Sequence, residues 1–212
     1  DSSTSRGLGD VYKRQPLWGA TDSDESKPKN LTTAQKKQVF ANASGWVLEA
    51  GSALSGNDNT DGDPEVLVAI GDLSTSIGAA DITEVEMVTT TADKSEGFTI
   101  SVRVRYNEPV NVVTTGGTPT LAVTNGNEGT GTGRGPHSLS YASGTGTNEL
   151  IFSLAIAAAN AATNADDVLT VGAQTIALNS GTIKDASGTA SDAAVAISSA
   201  QGTAAGSVTV TA

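Results

Sequence analysis

The sequence predicts a mainly β protein, with an antiparallel sandwich or barrel over residues 81–212, on three observations. From Asp81 onward apolar and polar residues alternate with a period of two, as in half-buried strands. Clusters of Gly, Pro and Asn interrupt these runs at short intervals, where turns belong. The 212 residues include 28 Thr, 30 Ala and 24 Gly but only eight aromatics. Threonine favours extended backbone and its hydroxyl tolerates a wet face, so the core is expected to be Val, Ile, Leu and small Ala packed between sheets ~10 Å apart.

The elements follow in chain order. Residues 10–15, Asp-Val-Tyr-Lys-Arg-Gln, resemble one reading frame of a transposon end sequence used in sequencing libraries. Residues 1–15 are therefore expected to be a library artefact of environmental DNA and are left out of the fold reading. Their removal takes away Arg6, Lys13 and Arg14 against Asp1 and Asp10. No stretch before Leu31 has the apolar core of a secretory signal. Residues 16–30 read as an extended polar arm with an apolar Leu17-Trp18 tip.

Residues 31–80 read as a small α+β subdomain, a helix plus a β-hairpin. Thr32-Thr33-Ala34-Gln35 has capping-box spacing, in which hydroxyl and amide side chains satisfy orphan N–H groups at a helix start. That helix is expected to reach about Ala43, with Val39, Phe40 and Ala43 on one face and Gly45 as its stop. Trp46-Val47-Leu48 and Glu65–Ile70 are β-prone and would pair across the polar loop between them.

Within 81–212, Phe98, Ile100, Val102, Val104 and Tyr106 alternate with Thr99, Ser101, Arg103 and Arg105, a strand with both arginines facing water. Leu121/Val123, Leu139/Tyr141, Leu150–Ile156, Ile176/Leu178, Val195/Ile197 and Val208/Val210 continue the period. Turns are expected at Asn107-Glu108-Pro109, Gly116-Gly117, Gly144-Thr145-Gly146 and Asn179-Ser180-Gly181. The alanine-rich Ala157–Asn164 segment could form a short helical turn.

Three segments resemble the motifs of bacterial immunoglobulin-like repeats. They are Tyr106-Asn107-Glu108-Pro109-Val110, the hairpin Tyr141–Phe152 (YASGTGTNELIF), and the turn Leu178–Gly188 (LNSGTIKDASG). The resemblance implies an immunoglobulin-like antiparallel β-sandwich over 81–212. The arm, the Gly-Trp-Val strand and Glu65–Ser76 are further similar to small virion structural proteins of tailed phages of marine bacteria. That likeness implies an N-terminal arm and small subdomain ahead of one sandwich, and a location in the virion. A repeat of an adhesin on a bacterial cell surface is the alternative, and a carbohydrate-binding module a third reading disfavoured by the few aromatics.

Composition bears on chemistry as well. The chain has no cysteine, one histidine and a net charge of −11, so thiolate zinc sites and cysteine nucleophiles are excluded. The acidic balance speaks against a nucleic-acid partner. The apolar run Leu154–Ala162 is far shorter than the ~20 residues of a membrane span. Asn57, Asn59, Asp61 and Gly62 fall on positions 1, 3, 5 and 6 of a calcium loop, with Asp63 and Glu65 beyond. Val68 stands where the bidentate acid belongs, so a solvated hairpin loop is the first expectation and calcium the second. Asp166, Asp167 and Asp185 are weaker oxygen donors.

His137 is the sole imidazole base and no sequence feature names its serine partner. Gly126–Gly135 lacks the Gly-Lys-Ser/Thr ending of a phosphate loop and reads as a sandwich-end loop with Arg134 at its tip. Glu84/Glu86 and Glu108/Glu149 read as solvated faces rather than as paired catalytic carboxylates. The expectation is a non-enzymatic protein without cofactor. Its partners would be virion proteins of capsid or tail, host-surface glycans, or a second copy of the chain, and Leu17, Trp18, Trp46 and Arg134 would make the contacts.

Overall fold

In the computed structural model the described residues are 27–28, 30–56, 58–126, 136–158, 160–187 and 190–212. The expected artefact 1–15, Leu17, Trp18, Asn57 and Arg134 lie outside them. The chain is mainly β, with several antiparallel sheets, and divides into two compact units, one ending at Gly78 and the other spanning Ala79–Ala212.

The first unit opens with α1 (Thr33–Lys36). Gln35 N donates to Thr32 Oγ1 at 3.3 Å and Thr32 N to Gln35 Oε1 at 2.8 Å, the reciprocal capping of orphan amides. The helix stops seven residues short of Ala43, and Val39–Asn42 form β1 instead. The reason is the turn that follows. Asn42 Oδ1 accepts from Ser44 N and Gly45 N, turning the chain so that β1 pairs with β2 (Gly45–Leu48). Gly45 has φ +136° and would put a Cβ 2.0 Å from Val68 O, so it serves a hairpin and not a helix end. β-Branched Val39 and aromatic Phe40 suit that strand. Lys27, buried, donates its Nζ to Lys36 O at 2.6 Å and satisfies a terminal helix carbonyl. β2 then pairs with β3 (Glu65–Ala69) through a bulge between Trp46 and Val47. Val39, Ala41, Trp46, Leu48, Leu73 and Ile77 form the core of this unit.

The second unit is organised by one long strand. Its strands are β4 (Ile82–Met87), β5 (Ala92–Asp93), β6 (Phe98–Val113), β7 (Thr120–Val123), β8 (His137–Ser143), β9 (Thr147–Ile156), β10 (Val168–Thr170), β11 (Gln174–Thr175), β12 (Thr182–Asp185), β13 (Ala196–Ile197) and β14 (Ser207–Thr211), with α2 (Ser199–Ala204) before the last. The largest sheet runs β12-β6-β9-β8-β7, and β4 pairs with β6 as well. A second sheet has the order β10-β14-β5, in which β14 and β5 run parallel, and β11 pairs with β13. One apolar cluster draws on all three: Ile100, Val102, Val104, Phe152, Leu169, Ile197 and Val210 belong to it.

Two expectations change here. Asn107-Glu108-Pro109 is no turn but lies inside β6. The β6–β9 register passes from Arg105↔Glu149 to Val110↔Thr147, a bulge at which the ladder is interrupted and proline, without an N–H, is tolerated. Asn107 supplies the missing pairing: Asp81 N donates to its Oδ1 at 2.7 Å and its own N–H to Asp81 O at 3.0 Å. The described residues of the alanine-rich 157–164 segment form turns. Asn160 Oδ1 accepts from Ala162 N at 2.8 Å, a local bond that competes with helix formation. The helix of this unit is α2, started by a second capping box at Ser198 and Gln201.

Candidate functional site

Charged and polar side chains gather at two places on β6. On one face Arg105 is buried and Arg103 half-buried, where the alternation predicts both facing water. Arg105 lies across from Glu84 on one neighbouring strand and Glu149 on the other, bonding Glu84 Oε2 at 2.8 Å and Glu149 Oε1 through its Nε. Arg103 pairs with Glu86 and reaches Glu149 Oε2 at 3.6 Å. The side chains of Arg105 and Glu84 are only 10% and 13% exposed. Cross-strand pairing of opposite charges stabilises a sheet, and burial removes much of the solvent screening that weakens surface pairs. Glu84, Glu86 and Glu149 are therefore members of an ion-pair ladder, engaged by guanidinium groups rather than by water alone.

The second place is the bulge. Glu108 and Asp185 are buried, and Ser187 Oγ donates to Glu108 Oε2 at 3.1 Å and to Asp185 Oδ1 at 2.6 Å. Ala186 N donates to Pro109 O at 2.9 Å, Gly146 N to Val110 O at 2.8 Å, and Val112 N to Thr145 Oγ1 at 2.9 Å. Residues 106–110, the β8–β9 hairpin and the turn that leaves β12 thus meet over a few residues of β6. Tyr106 is buried and donates its hydroxyl to Ala194 O at 3.0 Å, and burial raises its pKa above the ordinary phenol value.

The other predicted residues are scattered. Trp46, expected at a docking surface, is fully buried in the first unit's core; its large apolar ring is the natural filler of a small aliphatic core. Asn59, Asp61, Asp63 and Glu65 are exposed. Asn59 Oδ1 accepts from Asp61 N at 3.1 Å, so it closes an Asx turn within the loop. Among the described residues no group of three or more acidic or imidazole side chains is placed to hold a metal. Asp167 Oδ2 accepts from Asn164 N at 2.7 Å, away from the Asp185–Ser187 pairing. His137 is buried at the start of β8, its Nε2 3.1 Å from Thr163 Oγ1.

A feature without sequence signal lies at the end of β5. A cavity of about 510 Å³ is lined by Lys94, Ser95, Asn164, Ala165 and Ala212. Asp93 Oδ1 accepts from both Ser95 Oγ (2.7 Å) and Ser95 N (2.8 Å). The Ser95 hydroxyl, then its amide, hold the Asp93 carboxyl below the usual carboxylate range. With a lowered native pKa, its contribution to stability is present above the ordinary value of 3.8 and is lost as pH falls through the lowered value. Ser95→Ala is expected to return the Asp93 titration, followed by carboxyl-detected NMR, toward that ordinary value. An unmoved titration would mean that Ser95 is not the cause. The chain matches no protein-family model, no curated protein and no solved structure.

Proposed function

We propose that this is a non-enzymatic structural protein of a phage particle, in which the arm and first unit attach to the virion and an immunoglobulin-like sandwich, Ala79–Ala212, is displayed. The observation that carries the reading is the convergence at the β6 bulge. The three segments that resemble immunoglobulin-like repeats are far apart in sequence, yet their hydrogen bonds meet at Pro109, Val110 and Val112. Residues that resemble a family's turns and also interlock as one unit favour a common fold over chance likeness. The largest sheet and the β10-β14-β5 sheet share one apolar cluster, as the two sheets of a sandwich do. The two arginines of β6 are tied up in pairs that hold strands together, which suits a scaffold.

Attachment would use strand or arm addition and burial of Leu17 and Trp18, and many displayed copies would turn weak contacts with host-surface glycans into avidity. In a phage that encodes this chain, deletion of Pro16–Asn30 is expected to remove the protein from purified particles, read by mass spectrometry of the virion. Unchanged incorporation would sink the arm as anchor. Tandem copies in one long reading frame, in place of neighbouring capsid and tail genes, would favour the adhesin repeat.

A further inference from the structure

We propose that Asp61-Gly62, in the loop between β2 and β3, is a spontaneous modification site at which the native chain forms isoaspartate, while the fold keeps Asn125-Gly126 intact. The inference goes beyond the structural reading above and does not rest on it. The sequence holds one Asp–Gly step and one Asn–Gly step. Both can close the same succinimide ring, because glycine has no side chain to hinder its nitrogen. In an unstructured chain at neutral pH the asparagine reacts faster, since a carboxyl must be protonated before its hydroxyl can leave.

The structure reverses that order. Asp61 is exposed, and among the described residues nothing bonds its carboxylate. The backbone around it is held by few bonds. Asp61 N donates to Asn59 Oδ1 at 3.1 Å and Gly62 N to Asn59 O at 3.3 Å, and β3 begins only at Glu65. The Gly62 nitrogen can therefore turn onto Asp61 Cγ for the loss of one long hydrogen bond. Asn125, by contrast, is fully buried, and its Nδ2 donates to Ala162 O at 2.6 Å. Thr124 N donates to Thr170 O at 2.8 Å and Thr170 N to Thr124 O at 3.1 Å. A Cβ on Gly126 would come within 2.8 Å of Val168 O, so the backbone is packed on both sides of Asn125. Ring closure there needs a local opening of the second unit, and the rate falls with the fraction of time spent open.

The chemistry needs no reagent but water. Gly62 N attacks Asp61 Cγ; the N–Cγ bond forms, the Cγ–OH bond breaks, and the hydroxyl leaves as water with the amide proton. Water then opens the ring. Cleavage between the nitrogen and the carbonyl on Cα gives isoaspartate, whose backbone runs through Cβ and whose α-carboxylate becomes the side group. Cleavage at Cγ restores aspartate. The product lengthens the loop by one methylene, and its carboxylate is the group that isoaspartyl methyltransferases esterify with S-adenosylmethionine as methyl donor.

The test is ageing of the purified chain for several weeks in warm neutral buffer, with and without guanidinium chloride. Peptide mapping with fragmentation that separates aspartate from isoaspartate is the readout. In the native chain isoaspartate should accumulate at Asp61 while Asn125 keeps its amide; in denaturant Asn125 should convert first. Gly62→Val should cut the Asp61 product at least tenfold. That variant should fold, because Gly62 has no left-handed φ and a Cβ there lies 3.3 Å from Asn59 Nδ2, the movable end of a side chain. An Asp61 that stays unconverted in the native chain overturns the proposal, as does deamidation of Asn125 ahead of it. An unchanged rate in Gly62→Val overturns ring closure through the Gly62 nitrogen. The measurement uses the free chain, so its outcome is independent of whether the chain is found in particles.

Discussion

Arg105→Ala should destabilise the second unit by about 3 kcal/mol, measured by urea denaturation followed by far-UV circular dichroism. The substitution removes the guanidinium that stands between Glu84, nearly out of solvent, and Glu149, which keeps only its longer contact with Arg103. Breaking a buried pair by removing one partner costs about 3–5 kcal/mol, because the remaining charge is left without compensation. The low end applies because Glu149 is 27% exposed and partly screened by water. Arg105→Lys keeps a cation but loses the planar fork that meets both carboxylates, and should cost about 1–2 kcal/mol. Arg103→Ala should cost less than Arg105→Ala, because Glu86 is 44% exposed. A loss under about 0.5 kcal/mol for Arg105→Ala, the level of an ordinary surface substitution, would mean that the ladder is ornamental.

Trp46→Ala should cost the first unit about 3–5 kcal/mol, as truncation of a large core side chain does. Val39, Ala41, Leu48, Leu73 and Ile77, its neighbours in that core, are too small to fill the gap. Hydrogen exchange at the Val39–Leu48 amides is the measurement, and lost protection there is the expected result. Trp46→Phe is the informative control. The indole Nε1 is buried with no hydrogen-bond partner, so phenylalanine gives up ring area but also removes an unsatisfied donor that costs about 1–3 kcal/mol. The two terms nearly offset, and Trp46→Phe should sit within about 1 kcal/mol of the parent. Protection unchanged in Trp46→Ala would contradict the placement of this ring at the centre of the unit.

Local chemistry was legible in the sequence, and cross-strand chemistry was not. Thr32 and Gln35 announced their capping box because both partners lie within one turn of helix. The alternation Ile100–Tyr106 and the β2–β3 pairing were legible for the same reason, since period and turn composition are short-range signals. Val39 and Phe40 were misread as helical because their spacing suits either structure, and the deciding contacts of Gly45 are with Val68 in a distant strand. Arg105 was read as exposed because alternation gives only the face of a strand. It does not say that Glu84 and Glu149 stand on both sides. The Lys94 cavity brings together residues from the turn after β5, the segment before β10 and the residue after β14. No window along the chain contains all three.

The pairing of β14 with β5 has a further consequence during synthesis. Ala92 and Asp93 wait for Val210 and Thr211, and Ile82 O waits for the Gln201 side chain, 119 residues later. At ~5–20 residues per second of translation, that delay is roughly 6–24 s. For that time β5 lacks its partner strand and the apolar residues around it lack part of their cover. The first unit, whose pairings all close within residues 39–69, can fold while the rest is still being made. The nascent chain would then carry a folded head ahead of a slowly closing sheet, and the second unit would be the one more exposed to proteases and to neighbouring nascent chains.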